Sequence, residues 1–153
     1  MYAEECNYFD TPVQFGRSSG EIADLLEDFG ATDVVTANGH IDGTYAYLVR
    51  FEWNGKYYRF KFQPLTCKYP DKIMTYSGKK RTNLEQAKYQ MGRIAFYFVK
   101  AILTAAAAQP AALFGFMELP VPSADGVFYR TAGELELPEL ANISGIKKLM
   151  AGA

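Results

Sequence analysis

Residues 45–63 read YAYLVRFEWNGKYYRFKFQ, and this stretch decides the fold. Apolar and polar residues alternate on both sides of Asn54-Gly55, which is the period of a half-buried β-strand. An Asn-Gly pair between two such runs favours a two-residue type I′ turn, because both residues tolerate positive φ. The sequence therefore predicts an antiparallel hairpin whose strands are residues 45–53 and 56–63.

The turn also determines which residues face one another across the hairpin. Residue 53 pairs with 56, then 51 with 58, 49 with 60 and 47 with 62. This register places Phe51, Val49 and Phe60 on a common core face. It also places Arg50 directly opposite Arg59 on the outer face, beside Lys61. Like charges in this position repel each other, so the pair opposes folding.

Helical patterns flank this hairpin. Ser18 and Glu21 fit a capping box, an apolar stripe follows, and Gly30 suits the end of that helix. A second helix is predicted from Thr82, capped with Glu85, to about residue 108. The core stripe expected on it comprises Leu84, Ala87, Met91, Ile94, Ala95, Phe98 and Ile102.

The remaining segments complete the predicted architecture. A strand at 32–37 and a turn at 38–43 join the hairpin to form a three-stranded meander, and 64–81 is a basic loop without an evident element. A short helix at 111–117, a hairpin of 119–121 with 127–131 and a helical end at 137–150 follow. The prediction is one α+β domain over 1–153: helix, three-stranded antiparallel meander, long helix, irregular C-terminal hairpin/helix, with 134–153 as a flexible tail.

Charge is divided unevenly along the chain although the net charge is −1. Residues 1–44 hold nine acids and one base, whereas residues 45–100 hold twelve bases and three acids. The opening MYAEEC is acidic where a signal peptide is basic, and only two cysteines occur, far apart. These features predict a cytoplasmic protein without a membrane anchor.

No catalytic or metal-binding motif stands out. His40 is the single histidine and falls in a predicted turn, so it gives no zinc-ligand spacing with the two cysteines. No glycine-rich phosphate loop is present, and no cofactor is expected. We therefore predict a non-enzyme, while an enzyme with residues dispersed along the sequence stays a third reading.

Residues 45–100, which we call the basic segment, are the basis of the functional hypothesis. Residues 79–81 precede a helix N-terminus, where bases oppose the helix dipole but backbone N–H groups favour phosphate. A ridge of bases and aromatic rings is predicted on the second helix, formed by Tyr89, Arg93, Phe96 and Lys100. Nucleic-acid surfaces use this combination. The candidate anion-binding residues are Arg50, Arg59, Lys61, Lys79, Lys80, Arg81, Arg93 and Lys100.

Two resemblances extend this hypothesis. The helix over 16–30, the hairpin ending in Tyr58-Arg59-Phe60, the helix over 85–105 and the turn at Asp125-Gly126 resemble a family of uncharacterised small proteins of bacteriophage and prophage genomes. That resemblance implies a phage-like accessory protein of unassigned activity. The order helix, meander, helix, with His40 in the first turn and Lys79-Lys80 before the second helix, resembles the double-stranded RNA-binding domain.

Two readings of the basic segment stay open. In the first, the bases contact nucleic-acid phosphates. In the second, the protein is an interaction or self-associating module: the C-terminal tail covers the aromatic residues, and the bases pair with the acidic first helix of the same chain or of another copy. The acidic face of that helix comprises Glu21, Asp24, Glu27 and Asp28.

Overall fold

The computed structural model describes residues 1–41 and 43–141. The elements are α1 (Phe15–Phe29), β1 (Thr32–Ile41), β2 (Thr44–Trp53), β3 (Lys56–Phe62), β4 (Ile73–Tyr76), β5 (Lys79–Thr82), α2 (Asn83–Ala108), β6 (Glu118–Ser123), β7 (Gly126–Thr131) and α3 (Leu137–Ala141). Short 3₁₀ helices cover Ala3–Glu5, Pro110–Phe116 and Ala132–Glu134. The predicted α+β order of helix, antiparallel meander, long helix and C-terminal hairpin is confirmed.

The hairpin of β2 and β3 has the predicted register. Trp53 pairs with Lys56, and Arg50 lies opposite Arg59. Asn54 and Gly55 have φ values of 52° and 75°, as a type I′ turn requires. β1 pairs with the other side of β2, so the three strands form an antiparallel meander in sequence order.

The core lies between one face of this meander and the two long helices. Val49, Phe51 and Phe60 are fully buried there with Met91 of α2 and Ile22 of α1. Phe98, predicted in the core stripe of α2, is 37% exposed although its ring contacts those of Phe60 and Phe62. Leu84, predicted in the same stripe, is 47% exposed. It lies in the first turn of the helix, where its N–H bonds to the Pro70 carbonyl and no strand of the meander covers it.

The N-cap of α1 lies four residues before Ser18, so the predicted Ser18–Glu21 capping box is wrong. The helix starts at Phe15 with Gln14 as its N-cap, so Ser18 lies inside it and is fully buried. Its hydroxyl accepts a hydrogen bond from Arg93 Nε of α2 at 2.9 Å. Ser18 thus joins two helices, a long-range role that a local pattern does not distinguish from capping. The predicted end at Gly30 is confirmed, with φ 102° and an N–H bonded to the helix.

Two further boundaries differ from the prediction. β1 continues to Ile41 through the predicted turn, so His40 is in a strand opposite Tyr45, while Asp42 lies outside the described residues. The predicted loop 64–81 contains the hairpin of β4 and β5, which turns at Ser77 and Gly78 with φ values of 50° and 81°. Its strands have four residues each, too few for a clear alternation.

The C-terminal part follows the prediction in outline. β6 and β7 pair from Glu118 with Thr131 to Ser123 with Gly126, which confirms that hairpin. A 3₁₀ helix replaces the helix predicted at 111–117. α3 starts the predicted helical end, whose residues 142–150 lie outside the described residues.

α2 has the length and apolarity of a membrane span, with a mean hydropathy of 1.4 over its most apolar window. In this fold, however, Met91, Ala95 and Val99 on one side of the helix are buried in the core. Core helices pass the same length and hydropathy test, so the arrangement is compatible with a soluble protein.

Candidate functional site

The outer face of the meander, opposite α2, carries Arg50, Arg59 and Lys61. Alternation along β2 and β3 turns these side chains away from Val49, Phe51 and Phe60. The predicted like-charge pair therefore exists, with Arg50 and Arg59 at facing positions. Without a neutralising partner such a pair would weaken the sheet.

Glu118, the first residue of β6, supplies that partner. Its Oε2 lies 3.3 Å from Arg50 Nε and its Oε1 lies 3.4 Å from Arg59 Nε. The Glu118 side chain is only 10% exposed, so the charges interact where water screens them less. One carboxylate therefore bridges both arginines and relieves their repulsion.

Glu134 holds Arg59 from a second direction. Arg59 Nη2 donates to both carboxylate oxygens of Glu134, at 2.9 and 2.7 Å. Glu134 belongs to the 3₁₀ helix that follows β7, so this contact fastens the end of the C-terminal hairpin to the sheet. The Arg50 guanidinium meanwhile lies over the Tyr57 ring, 4.5 Å from its centroid. Arg59 therefore joins the three-stranded sheet to Glu118 and Glu134 of the C-terminal segment, and this role is structural.

A groove of about 400 Å³ separates the outer face of the sheet from the hairpin of β6 and β7. It is lined by Ile41, Leu48, Arg59, Lys61, Phe128, Tyr129, Arg130 and Glu134. Lys61 and Arg130 form no hydrogen bond or ion pair through their side chains with any residue that the structure describes. Phe128 and Tyr129 are 52% and 63% exposed. The groove is thus lined by two unpaired cations and by two residues whose aromatic rings are accessible.

Arg81 and Arg93 lie elsewhere, inside the molecule. Arg81 is 9% exposed, lies 4.4 Å from the Tyr89 ring centroid and donates from Nε to Gln86 at 3.0 Å. It fills the space between the hairpin of β4 and β5 and the first turns of α2. Its burial removes it from the exposed surface that the sequence predicted.

Arg93 connects α2 to the acidic helix. It is 8% exposed, and its Nη2 donates to Glu21 at 2.8 Å while its Nε donates to Ser18. The hydrogen bond from Arg93 is the main cause that lowers the pKa of Glu21, with a smaller contribution from Arg17. The predicted ridge on α2 is therefore interrupted, because a base on it pairs with α1 of the same chain.

The other predicted cations are exposed but separate. Lys79 and Lys80 lie in β5, which belongs to a different sheet, and Lys100 is on the exposed side of α2. The structure therefore brings together only Arg50, Arg59 and Lys61 of the eight predicted residues. Sequence reasoning missed Arg130, Phe128 and Tyr129, whose only local signal was a run of large side chains in a short C-terminal strand.

The described part of the chain has few side chains arranged for metal binding or thiol chemistry. Within residues 1–41 and 43–141, no group of three or more His, Cys, Asp and Glu side chains is arranged to hold a metal ion. His40 packs its ring edge-to-face with Tyr45, at 6.0 Å between centroids. Cys6 and Cys67 are free thiols.

Comparisons with protein-family models, with curated proteins and with solved structures return no match. The resemblances to small phage proteins and to the double-stranded RNA-binding domain therefore stay predictions from the sequence.

Proposed function

We propose that this protein binds single-stranded nucleic acid in the groove between the outer face of the meander and the hairpin of β6 and β7. The observation that carries the proposal is the combination of Lys61 and Arg130, which are unpaired, with the exposed rings of Phe128 and Tyr129. Cations that follow phosphates and rings that stack on bases are the two parts of single-strand binding sites.

The groove favours single strands over duplexes for a geometrical reason. Bases in a duplex are stacked on one another, so Phe128 and Tyr129 can stack only on bases that are unpaired. A volume of about 400 Å³ is that of a small-ligand site and is too small to enclose the side of a double helix. The proposal describes a cytoplasmic binding protein, an accessory role of the kind that the resemblance to phage proteins implies, and it assigns no catalytic residue.

Fluorescence anisotropy of labelled single-stranded DNA, single-stranded RNA and a matched duplex tests this proposal. We expect single strands to bind more tightly than the duplex, with an affinity that falls steeply between about 50 and 200 mM salt as counterions are released. Phe128→Ala/Tyr129→Ala should weaken binding by roughly tenfold or more, since stacking on one base is worth about 1–3 kcal/mol.

The cationic variants make the test specific to the groove. Lys61→Ala/Arg130→Ala should weaken binding and reduce the salt dependence, because two phosphate contacts are lost. Lys79→Ala/Lys80→Ala removes the same charge from β5 and should leave the affinity unchanged. Equal losses in both double variants, or no binding of any oligonucleotide at the lower salt concentration, would overturn the proposal. Arg59 is unsuitable as a probe because its loss also releases Glu118 and Glu134.

A further inference from the structure

A second exposed surface lies where the hairpin of β4 and β5 meets the start of α2. We call it the lysine patch, and it comprises Lys68, Tyr69, Lys72, Ile73, Lys80 and Leu84; Lys80 lies on the same face of the hairpin as Ile73, because Thr75 pairs with Lys80 and Ile73 with Thr82. Backbone hydrogen bonds hold its segments together: Leu84 N–H bonds to the Pro70 carbonyl at 3.0 Å, and Asn83 N–H bonds to the Lys72 carbonyl at 2.9 Å. The patch is therefore a built surface and not three unrelated lysines.

The lysine patch combines unneutralised charge with exposed apolar area. Its three lysines form no ion pair through their side chains with any described residue, although Asp71 and Glu85 are neighbours in sequence and the Glu4 carboxylate accepts from the Lys68 and Tyr69 N–H groups. Tyr69, Ile73 and Leu84 are 56%, 64% and 47% exposed. Apolar side chains surrounded by charge are typical of an interface with a partner.

α1 presents the opposite charge. Asp24, Glu27 and Asp28 lie on one exposed stripe of this helix, which we call the acidic stripe. In the part of the chain described, none of the three takes part in an ion pair. Glu21, on the same helix, is already bonded to Arg17 and Arg93. The acidic stripe thus also lacks a partner within the chain.

We infer that the acidic stripe of one copy docks on the lysine patch of a second copy. The two surfaces are complementary in charge, and Tyr69, Ile73 and Leu84 give the contact an apolar centre. An anionic lipid or a nucleic acid would account for the lysines alone, whereas a second copy accounts for both unpaired surfaces. Because the surfaces differ, the contact is head-to-tail, and every complex keeps one free stripe and one free patch unless a ring closes.

Sedimentation velocity over a range of protein concentrations tests this inference. The wild type should show a mean mass that rises with concentration at low salt and returns to the monomer value at about 0.5 M salt, where exposed charges are screened. Lys72→Glu/Lys80→Glu and Asp24→Lys/Asp28→Lys should each be monomeric, because each places like charges in the contact. All four positions are exposed, and far-UV circular dichroism checks that both variants are folded.

Mixing the two reversed variants is the decisive step. The mixture should associate again, since the unchanged stripe of one variant meets the unchanged patch of the other. A wild type that stays monomeric at low salt, or a mixture that stays monomeric, overturns the inference. Co-sedimentation of a monomeric wild type with phosphatidylserine vesicles, lost in the Lys72→Glu/Lys80→Glu variant, would assign the patch to a lipid surface instead. The same Lys72→Glu/Lys80→Glu variant is also titrated with oligonucleotide. Because its groove is unchanged, retained oligonucleotide binding shows that the proposed function is tested separately from the lysine patch.

Discussion

Gly92→Ala tests the close contact between α1 and α2. A Cβ at position 92 would lie 2.9 Å from Ser18 Cβ, 3.1 Å from Ser18 Oγ and 3.3 Å from Phe15 Cδ2. Carbon atoms in favourable contact are about 3.5–4.0 Å apart, so the helices would have to separate by roughly half an ångström. The 2.9 Å hydrogen bond from Arg93 to Ser18 would then lengthen as well.

The expected change in the free energy of unfolding is the balance of one stabilising and two destabilising contributions. Alanine is favoured over glycine inside a helix by about 1 kcal/mol. Overpacking a tight contact costs about 1–3 kcal/mol, and weakening a buried hydrogen bond of a charged group costs up to about 1.5–3 kcal/mol. We expect a net loss of about 1–3 kcal/mol, or roughly 2–12 °C in Tm for a domain of this size.

Gly20→Ala is the matched control, because no atom lies within 4 Å of the added Cβ at that helical position. It should stabilise the protein by up to about 1 kcal/mol through helix propensity alone. Urea titrations of both variants give the two free energies, and opposite signs are expected. A Gly92→Ala variant that is as stable as the wild type would show that the helices do not approach this closely.

Two further predictions concern stability. Phe60→Ala should lower the free energy of unfolding by about 3–5 kcal/mol in urea titration, because the Phe60 ring is fully buried and contacts those of Phe98 and Phe116. A loss below about 1 kcal/mol would mean that the two faces of the sheet are exchanged. Burial raises the pKa of Glu4, but hydrogen bonds from the N–H groups of Tyr69, Lys68 and Glu4 itself and from the Asn83 amide outweigh it and bring the pKa from 4.5 to about 2. The contribution of Glu4 is therefore complete above its unfolded pKa and is lost as pH falls from about 4.5 through about 2. The Tm difference between wild type and Glu4→Gln, followed over that range, should shrink towards low pH, and a constant difference would contradict the hydrogen-bonded carboxylate.

The features that could be predicted correctly from the sequence are those determined by residues close together along the chain. Asn54-Gly55 and the alternation around it fix the register of two strands, so the position of Arg50 opposite Arg59 follows from the residues of 45–63 alone. The Thr82 cap of α2 is equally local, and the structure confirms it, with the Thr82 hydroxyl accepting from Glu85 N–H at 3.2 Å.

What the sequence did not predict depends on distant partners. Arg93 is buried because Ser18 and Glu21, more than seventy positions away, lie beside it. Gln90 is fully buried because its amide donates to carbonyls of the N-terminal segment, among them Ala3 at 3.0 Å and Asn7 at 2.9 Å. Helical periodicity predicts the side of a helix on which such residues lie, but not whether another segment covers that side.

The carboxylate of Glu118 makes the three-stranded sheet dependent on residues outside it. If β6 and β7 swing away from the sheet, Arg50 and Arg59 are left facing each other without a counter-charge, so opening the groove restores their repulsion. The loss of this counter-charge therefore opposes movement of the hairpin away from the sheet. A chain ending before Glu118 should lose more stability than the removal of the buried apolar cluster of Leu119, Ala132 and Leu135 suggests, because the sheet alone retains the like-charge pair.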